Sequence, residues 1–108
     1  MGFVEVARTT DIPDGEMRSF SIAGKPILIS CFEGKYYAIG GRCTHMGGEL
    51  AKGKLDGKIV SCPRHGARFD VTTGECISGP KIGMIKLKTN NVPAYEVKVE
   101  DNSIKVNL

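Results

Sequence analysis

Two short segments bring thiols and imidazoles together: Cys43-Thr44-His45 and Cys62-Pro63-Arg64-His65, with 16 residues between His45 and Cys62. They hold both histidines of the chain. A thiolate is a soft donor and an imidazole suits iron, copper and zinc, so Cys43, His45, Cys62 and His65 form a candidate metal-ligand set. Side chains two apart in extended backbone face the same way, which lets Cys43 and His45 reach one centre. Zinc takes two thiolates and two imidazoles in a tetrahedron, and a structural zinc module is one reading. Zinc fingers and ribbons pair like ligands, however, whereas each segment here supplies one of each. Mixed pairs suit a two-iron centre in which one iron takes both cysteines and the other both histidines.

Such ligands need loops, and the pattern around them is one of short strands. Apolar and polar residues alternate in Tyr95-Glu96-Val97-Lys98-Val99 and in Ser103-Ile104-Lys105-Val106-Asn107, with Glu100-Asp101-Asn102 between, which predicts a β-hairpin. A second hairpin is predicted from Pro26 to Phe32, turning at Glu33-Gly34 and returning through Lys35 to Ile39. Further strands are expected at Phe3 to Ala7, Met17 to Ile22, Lys58 to Ser61, Ala67 to Val71 and Ile85 to Lys88, with turns at Asp56-Gly57 and Thr73-Gly74. Only Gly47 to Lys52 suggests a helical turn, against the propensity of its glycines. Both Cys/His segments then follow strands and sit on loops, where Gly40, Gly41, Gly47, Gly48 and Gly66 allow sharp bends.

Composition narrows the class. A chain of 108 residues with 14 glycines predicts one turn-rich, all-β domain over 1–108. The longest apolar stretch, Pro26 to Phe32, falls far short of the roughly 20 residues that cross a bilayer, so no membrane partner is expected. The N-terminus has no basic flank followed by an apolar stretch, and Val6 stands where a myristoylation signal needs Ser or Thr, which leaves a cytoplasmic location as the expectation. Reduced cysteines follow from that. A net charge of +3 with 6% aromatic residues does not make a nucleic-acid surface. No histidine remains for general acid-base work, no Ser-His-Asp set can be assembled and no Gly-rich nucleotide fingerprint appears. The chain is therefore expected not to be an enzyme in its own right.

The C-x-H and C-x-x-H segments, with Gly47, Cys62-Pro63, His65-Gly66, Phe69-Asp70 and the closing Pro93-Ala94-Tyr95-Glu96-Val97-Lys98-Val99, resemble the Rieske-type [2Fe-2S] ferredoxins over essentially the whole chain. The resemblance implies an antiparallel β-sandwich or barrel with a two-loop cluster-binding subdomain, and one [2Fe-2S] cluster per chain. It assigns Cys43 and Cys62 to an inner iron, His45 and His65 to an outer one, and Ser78-Gly79-Pro80 to a third covering loop. It implies a monomeric one-electron carrier between a flavin reductase and an oxygenase, with a small subunit of a nitrite-reductase-like complex as the alternative. Two ferric ions, two sulfides and two thiolates sum to zero charge with neutral imidazoles, which makes reduction easier than with four thiolates. High-potential relatives add a loop disulfide, where this chain has Gly48 and Arg64, and two hydroxyls, where it has Ala67 and Phe69. A potential toward the low end of the Rieske range is therefore expected.

The remaining polar and sulfur-bearing residues admit plainer roles. Cys31 and Cys76 read as packed thiols, with a disulfide between them as the alternative. Arg42, Lys52, Lys54, Arg64, Arg68 and Lys81 form either a basic collar that steers acidic redox partners or an ordinary solvated surface. Arg64 belongs beside the centre by its position, and Met46 shields it rather than ligating iron.

Overall fold

A computed structural model describes residues 2–42, 49–63, 66–78, 81–82, 85–86 and 91–108. Its first sheet is antiparallel, β1 (Phe3–Arg8) and β12 (Val97–Glu100) flanking β13 (Ser103–Asn107). The second runs β11-β4-β3-β2, from Ala94–Tyr95, Lys35–Gly40, Lys25–Phe32 and Met17–Ile22. The third runs β5-β6-β7-β8, from Lys54–Asp56, Ile59–Ser61, Arg68–Asp70 and Cys76–Ser78. A two-stranded ribbon joins β9 (Lys81–Ile82) to β10 (Ile85–Lys86). The architecture is all-β and antiparallel, as the alternation predicts.

The long hairpins owe their register to their turns. Ala23-Gly24, Glu33-Gly34 and Asp101-Asn102 each carry two successive positive φ values, between 49° and 78°. That is the type I′ geometry, whose twist matches the strands on either side. Strand β3 is buried on both faces: Ile27, Ile29 and Cys31 join Ile12, Ala38, Ile104 and Val106 in one apolar cluster. Leu28 points the other way, into a second cluster with Ile39, Leu50, Val60, Cys62, Ala67, Phe69, Val71 and Val92. A strand covered on both sides reads in sequence as a continuous apolar run, which is why Pro26 to Phe32 stands out. We call the half built on the first cluster the base and the half built on the second the lobe.

The lobe is an insertion into a single ladder. Strand β4 ends at Gly40, yet Ile39 and Ala38 pair with Ala94 and Tyr95 of β11, so residues 41–93 leave and return at adjacent points. The sequence reading of Tyr95 to Val99 as one strand is corrected here: Tyr95 pairs with β4, the Glu96 carbonyl accepts from Asn107 N–H, and Val97 pairs with β13. The chain changes sheets at Glu96, a step that alternation alone does not reveal. Three short strands escape the sequence reading, β5, β8 and β9. The expected helical turn is a 3-10 turn at Leu50–Lys52. Residues 87–88 of the expected strand from Ile85, and Gly79-Pro80 of the third loop, lie outside the described residues.

Candidate metal centre

Of the expected ligands, Cys62 lies among the described residues; Cys43, His45 and His65 lie outside them, as do Thr44, Met46, Gly47, Gly48 and Arg64. Strand β6 delivers Cys62 into the lobe core, where it is 4% exposed and free of any disulfide. Its N–H donates to the Ala67 carbonyl at 2.7 Å and its own carbonyl accepts from Gly66 N–H at 3.2 Å. The β6–β7 connection is thus tied at its base by backbone hydrogen bonds. Ala67 and Phe69, beside it, are buried and bring no hydroxyl.

The connection expected to carry Cys43 and His45 has flanking residues tied in the same way. Arg42 and Glu49 form an antiparallel bridge, and Leu50 N–H donates to the Gly41 carbonyl at 3.0 Å. Behind it, Gly40 N–H donates to the Pro93 carbonyl at 2.8 Å, and a Cβ on Gly40 would stand 3.0 Å from Pro93 Cδ. The described residues that flank both Cys/His segments, Gly41-Arg42 with Glu49-Leu50 and Cys62 with Gly66-Ala67, are thus tied to each other by backbone pairing, the kind of support a metal site needs.

The two bases meet at Gly53. The Leu50–Lys52 turn closes on it, Gly53 N–H donating to the Leu50 carbonyl at 3.0 Å. A Cβ here would overlap the Ser61 carbonyl and stand 3.2 Å from Pro63 Cδ. Gly53 has a negative φ of −86°, so crowding, not a left-handed conformation, reserves this position for glycine. A depression of about 300 Å³ beside it is lined by Lys52, Gly53, Lys54, Ser61, Cys62 and Pro63. The donor chemistry of the described part fits an iron–sulfur group: a free thiol, buried in an apolar cluster, on a connection pinned at its base.

Charge around the loop bases is mainly positive. Lys54, Ser61 and Arg68 share one row across β5, β6 and β7, with Lys54 and Arg68 exposed. Arg42 is exposed as well. Lys52 pairs with Glu49 at 3.3 Å, a solvated ion pair of little energetic consequence. Lys81 is described by its backbone alone.

A buried carboxylate, read in the sequence only as part of Phe69-Asp70 and given no role there, sits at the end of β7. Asp70, 6% exposed, accepts from Thr72 N–H at 2.8 Å and Thr72 Oγ1 at 2.6 Å, and faces Lys58 Nζ at 3.6 Å. Burial pushes its carboxyl up, but the Thr72 hydrogen bonds and the Lys58 ammonium outweigh burial and hold it below its ordinary value. The local signal was present: Asp-x-Thr ahead of Thr73-Gly74 is a side-chain-stabilised turn.

The other cysteines keep to packing. Cys31 and Cys76 each stand outside any disulfide and pack against different clusters, so the disulfide alternative does not form. Burial raises the Cys31 thiol above its ordinary value, and its Sγ lies 3.7 Å from Asp14 Oδ1. That makes it a poor nucleophile.

Comparison with known proteins agrees with this geometry. The Rieske [2Fe-2S] domain matches residues 2–96. The chain is 31% identical over 106 residues to the ferredoxin component of the naphthalene 1,2-dioxygenase system of Pseudomonas putida, covering 98% of this chain and 95% of that protein. It is 30% identical over 108 residues to the ferredoxin component of biphenyl 2,3-dioxygenase of Rhodococcus jostii strain RHA1, covering 100% and 94%. Among solved structures, the ferredoxin of carbazole 1,9a-dioxygenase from Nocardioides aromaticivorans IC177 superposes with a TM-score of 0.80 at 28% identity, covering 98% and 97%. Iron and sulfide, not zinc, are the cofactor of such domains. No helix among the described residues is long and apolar enough to cross a membrane. The chain belongs to the Rieske [2Fe-2S] domain family, and it is an electron carrier with one cluster, not a catalytic enzyme.

Proposed function

We propose that this chain passes single electrons from a flavin reductase to an oxygenase, as one domain over 1–108 acting as a monomer in the cytoplasm. Cys43 and Cys62 ligate one iron and His45 and His65 the other. When bound, a [2Fe-2S] group with these ligands supplies a one-electron couple of higher potential than an all-cysteine cluster. The protein's part is to exclude water from the Cys62 side and to pin both loop bases. The exposed Lys54 and Arg68 offer positive charge to an acidic partner face. The observation that carries the reading is Cys62 itself, a free, buried thiol on a tied connection that ends in the second Cys/His segment.

Electron paramagnetic resonance on anaerobically purified protein tests it. Silence before dithionite and a rhombic signal with the lowered average g of nitrogen-ligated iron afterwards are expected. A colourless, silent protein containing zinc would overturn the proposal. With Ala67 and Phe69 offering no hydroxyl donors, the reduction potential is expected in the lower part of the roughly −150 to +300 mV Rieske range. Voltammetry giving a value well above zero would contradict that.

A further inference from the structure

Between the two loop bases runs a second connection, longer than the one through Gly53. The Asp70 main chain holds the turn that follows it: Asp70 N–H donates to the Glu75 carbonyl at 2.9 Å, and the Asp70 carbonyl accepts from Gly74 N–H at 2.7 Å. Gly74, at φ +80°, is pressed against residue 92, where a Cβ would overlap the Val92 carbonyl. Its own carbonyl accepts from Val92 N–H at 2.9 Å, and Asn91 Oδ1 accepts from Cys76 N–H at 2.8 Å. The next residue, Pro93, holds Gly40 N–H at 2.8 Å. An unbroken path thus leads from Cys62 and Ala67 along β7 to Asp70, across Gly74 to Val92 and Pro93, and on to the end of β4.

The Asp70 side chain is what stiffens the middle of that path. Its two hydrogen bonds from Thr72 are short, charge-assisted and shielded from water. We propose that Asp70 is a positioning residue for the metal centre: its carboxylate sets the 72–74 turn, which through Val92 and Pro93 fixes the end of β4 from which the Cys43/His45 segment departs. The inference rests on the ligand set proposed above. A side chain with no ligand role thereby governs the spacing between two ligand-bearing loops.

The test compares holoprotein variants Asp70→Ala, Asp70→Asn and Thr72→Val with Ile104→Ala, a cavity in the base cluster that does not include Cys62. Iron release to an excess of a ferrous chelator is timed well below each melting transition, and reduced-state g values are recorded. Asp70→Ala is expected to release iron about tenfold faster or more than Ile104→Ala at matched thermal stability, with shifted g values, as for other residues that orient metal ligands. Asp70→Asn keeps an oxygen that can accept from Thr72, and with Thr72→Val it should fall between. Release that tracks melting temperature along the line set by wild type and Ile104→Ala, with unshifted g values, would overturn the proposal. Should Asp70→Ala not fold, the Asp70→Asn and Thr72→Val pair decides by the same criterion. A wild-type protein without the nitrogen-ligated signal would sink the ligand set and this proposal together, whereas a normal wild type with unshifted variants sinks only this one.

Discussion

The base and the lobe are built from the same kind of hairpin but held by different means. In the base, β2, β3 and β4 run for six, eight and six residues and are closed by type I′ turns. In the lobe, β5 to β8 are three residues each, with an irregular register between Arg68 and Phe69. Strands that short carry few ladder hydrogen bonds and gain little from their own pairing. Order in the lobe comes instead from one shared apolar cluster, a glycine crowded against a carbonyl, and a buried carboxylate. The difference teaches that the base draws order from its own long ladders, while the lobe, short of ladders, leans on the cluster it shares with Leu28 and Ile39 and on whatever its two connections bind.

Removing the cofactor should open the widest gap between the halves. Apo-protein prepared anaerobically with chelator is expected to lose about 3 kcal/mol or more of local stability in β5 to β8, roughly a hundredfold in amide exchange. Amides of β3 and β13 should keep their protection. Uniform loss across base and lobe would mean that the halves fold as one unit.

Gly53→Ala strikes the lobe alone. Its Cβ must displace the Ser61 carbonyl, which costs about 3 kcal/mol, the upper end of overpacking effects. We expect reduced iron per chain with a near-native circular dichroism spectrum from the base. Full iron occupancy at wild-type stability would show that β5 can swing away from β6 without consequence.

A smaller effect is expected from acid. Because the folded Asp70 carboxyl lies below its ordinary value, its stabilisation is present above about pH 4, the unfolded value, and fades as pH falls through the folded one. Asp70→Asn should therefore be less stable than wild type at pH 6 by about 1–3 kcal/mol, the worth of hydrogen bonds to a charged group. The gap should narrow toward pH 3. Urea midpoints that stay parallel across this range would assign the loss to packing.

What the sequence made legible follows the range of the forces involved. The base hairpins could be read because alternation and turn residues are local, and β2 and β13 match their expected bounds. The ligand set proposed above was suggested locally, because Cys43/His45 and Cys62/His65 each place two donors within a few residues; of the four, Cys62 lies among the described residues. Strands β5, β8 and β9 are too short to display a period. The sheet change at Glu96 depends on Asn107, eleven residues on, and Gly53 matters only because Ser61 arrives beside it. Asp70 stood in plain view beside Phe69, but its value lies in Val92 and Pro93, more than twenty residues away.

The adjacency of Ile39 and Ala94 gives the chain a modular grammar. Residues 41–93 depart from and rejoin a single rung of one ladder, so from the base's side the lobe is a long hairpin loop. Lengthening such a loop costs little, about 0.6 kcal/mol per doubling. A base of this kind can exchange its lobe for another of different size, provided the replacement's ends meet at the Gly40–Pro93 hydrogen bond. Transplanting 41–93 together with the facing Leu28 and Ile39, which share the lobe cluster, is then a way to swap redox character as a cassette between related carriers.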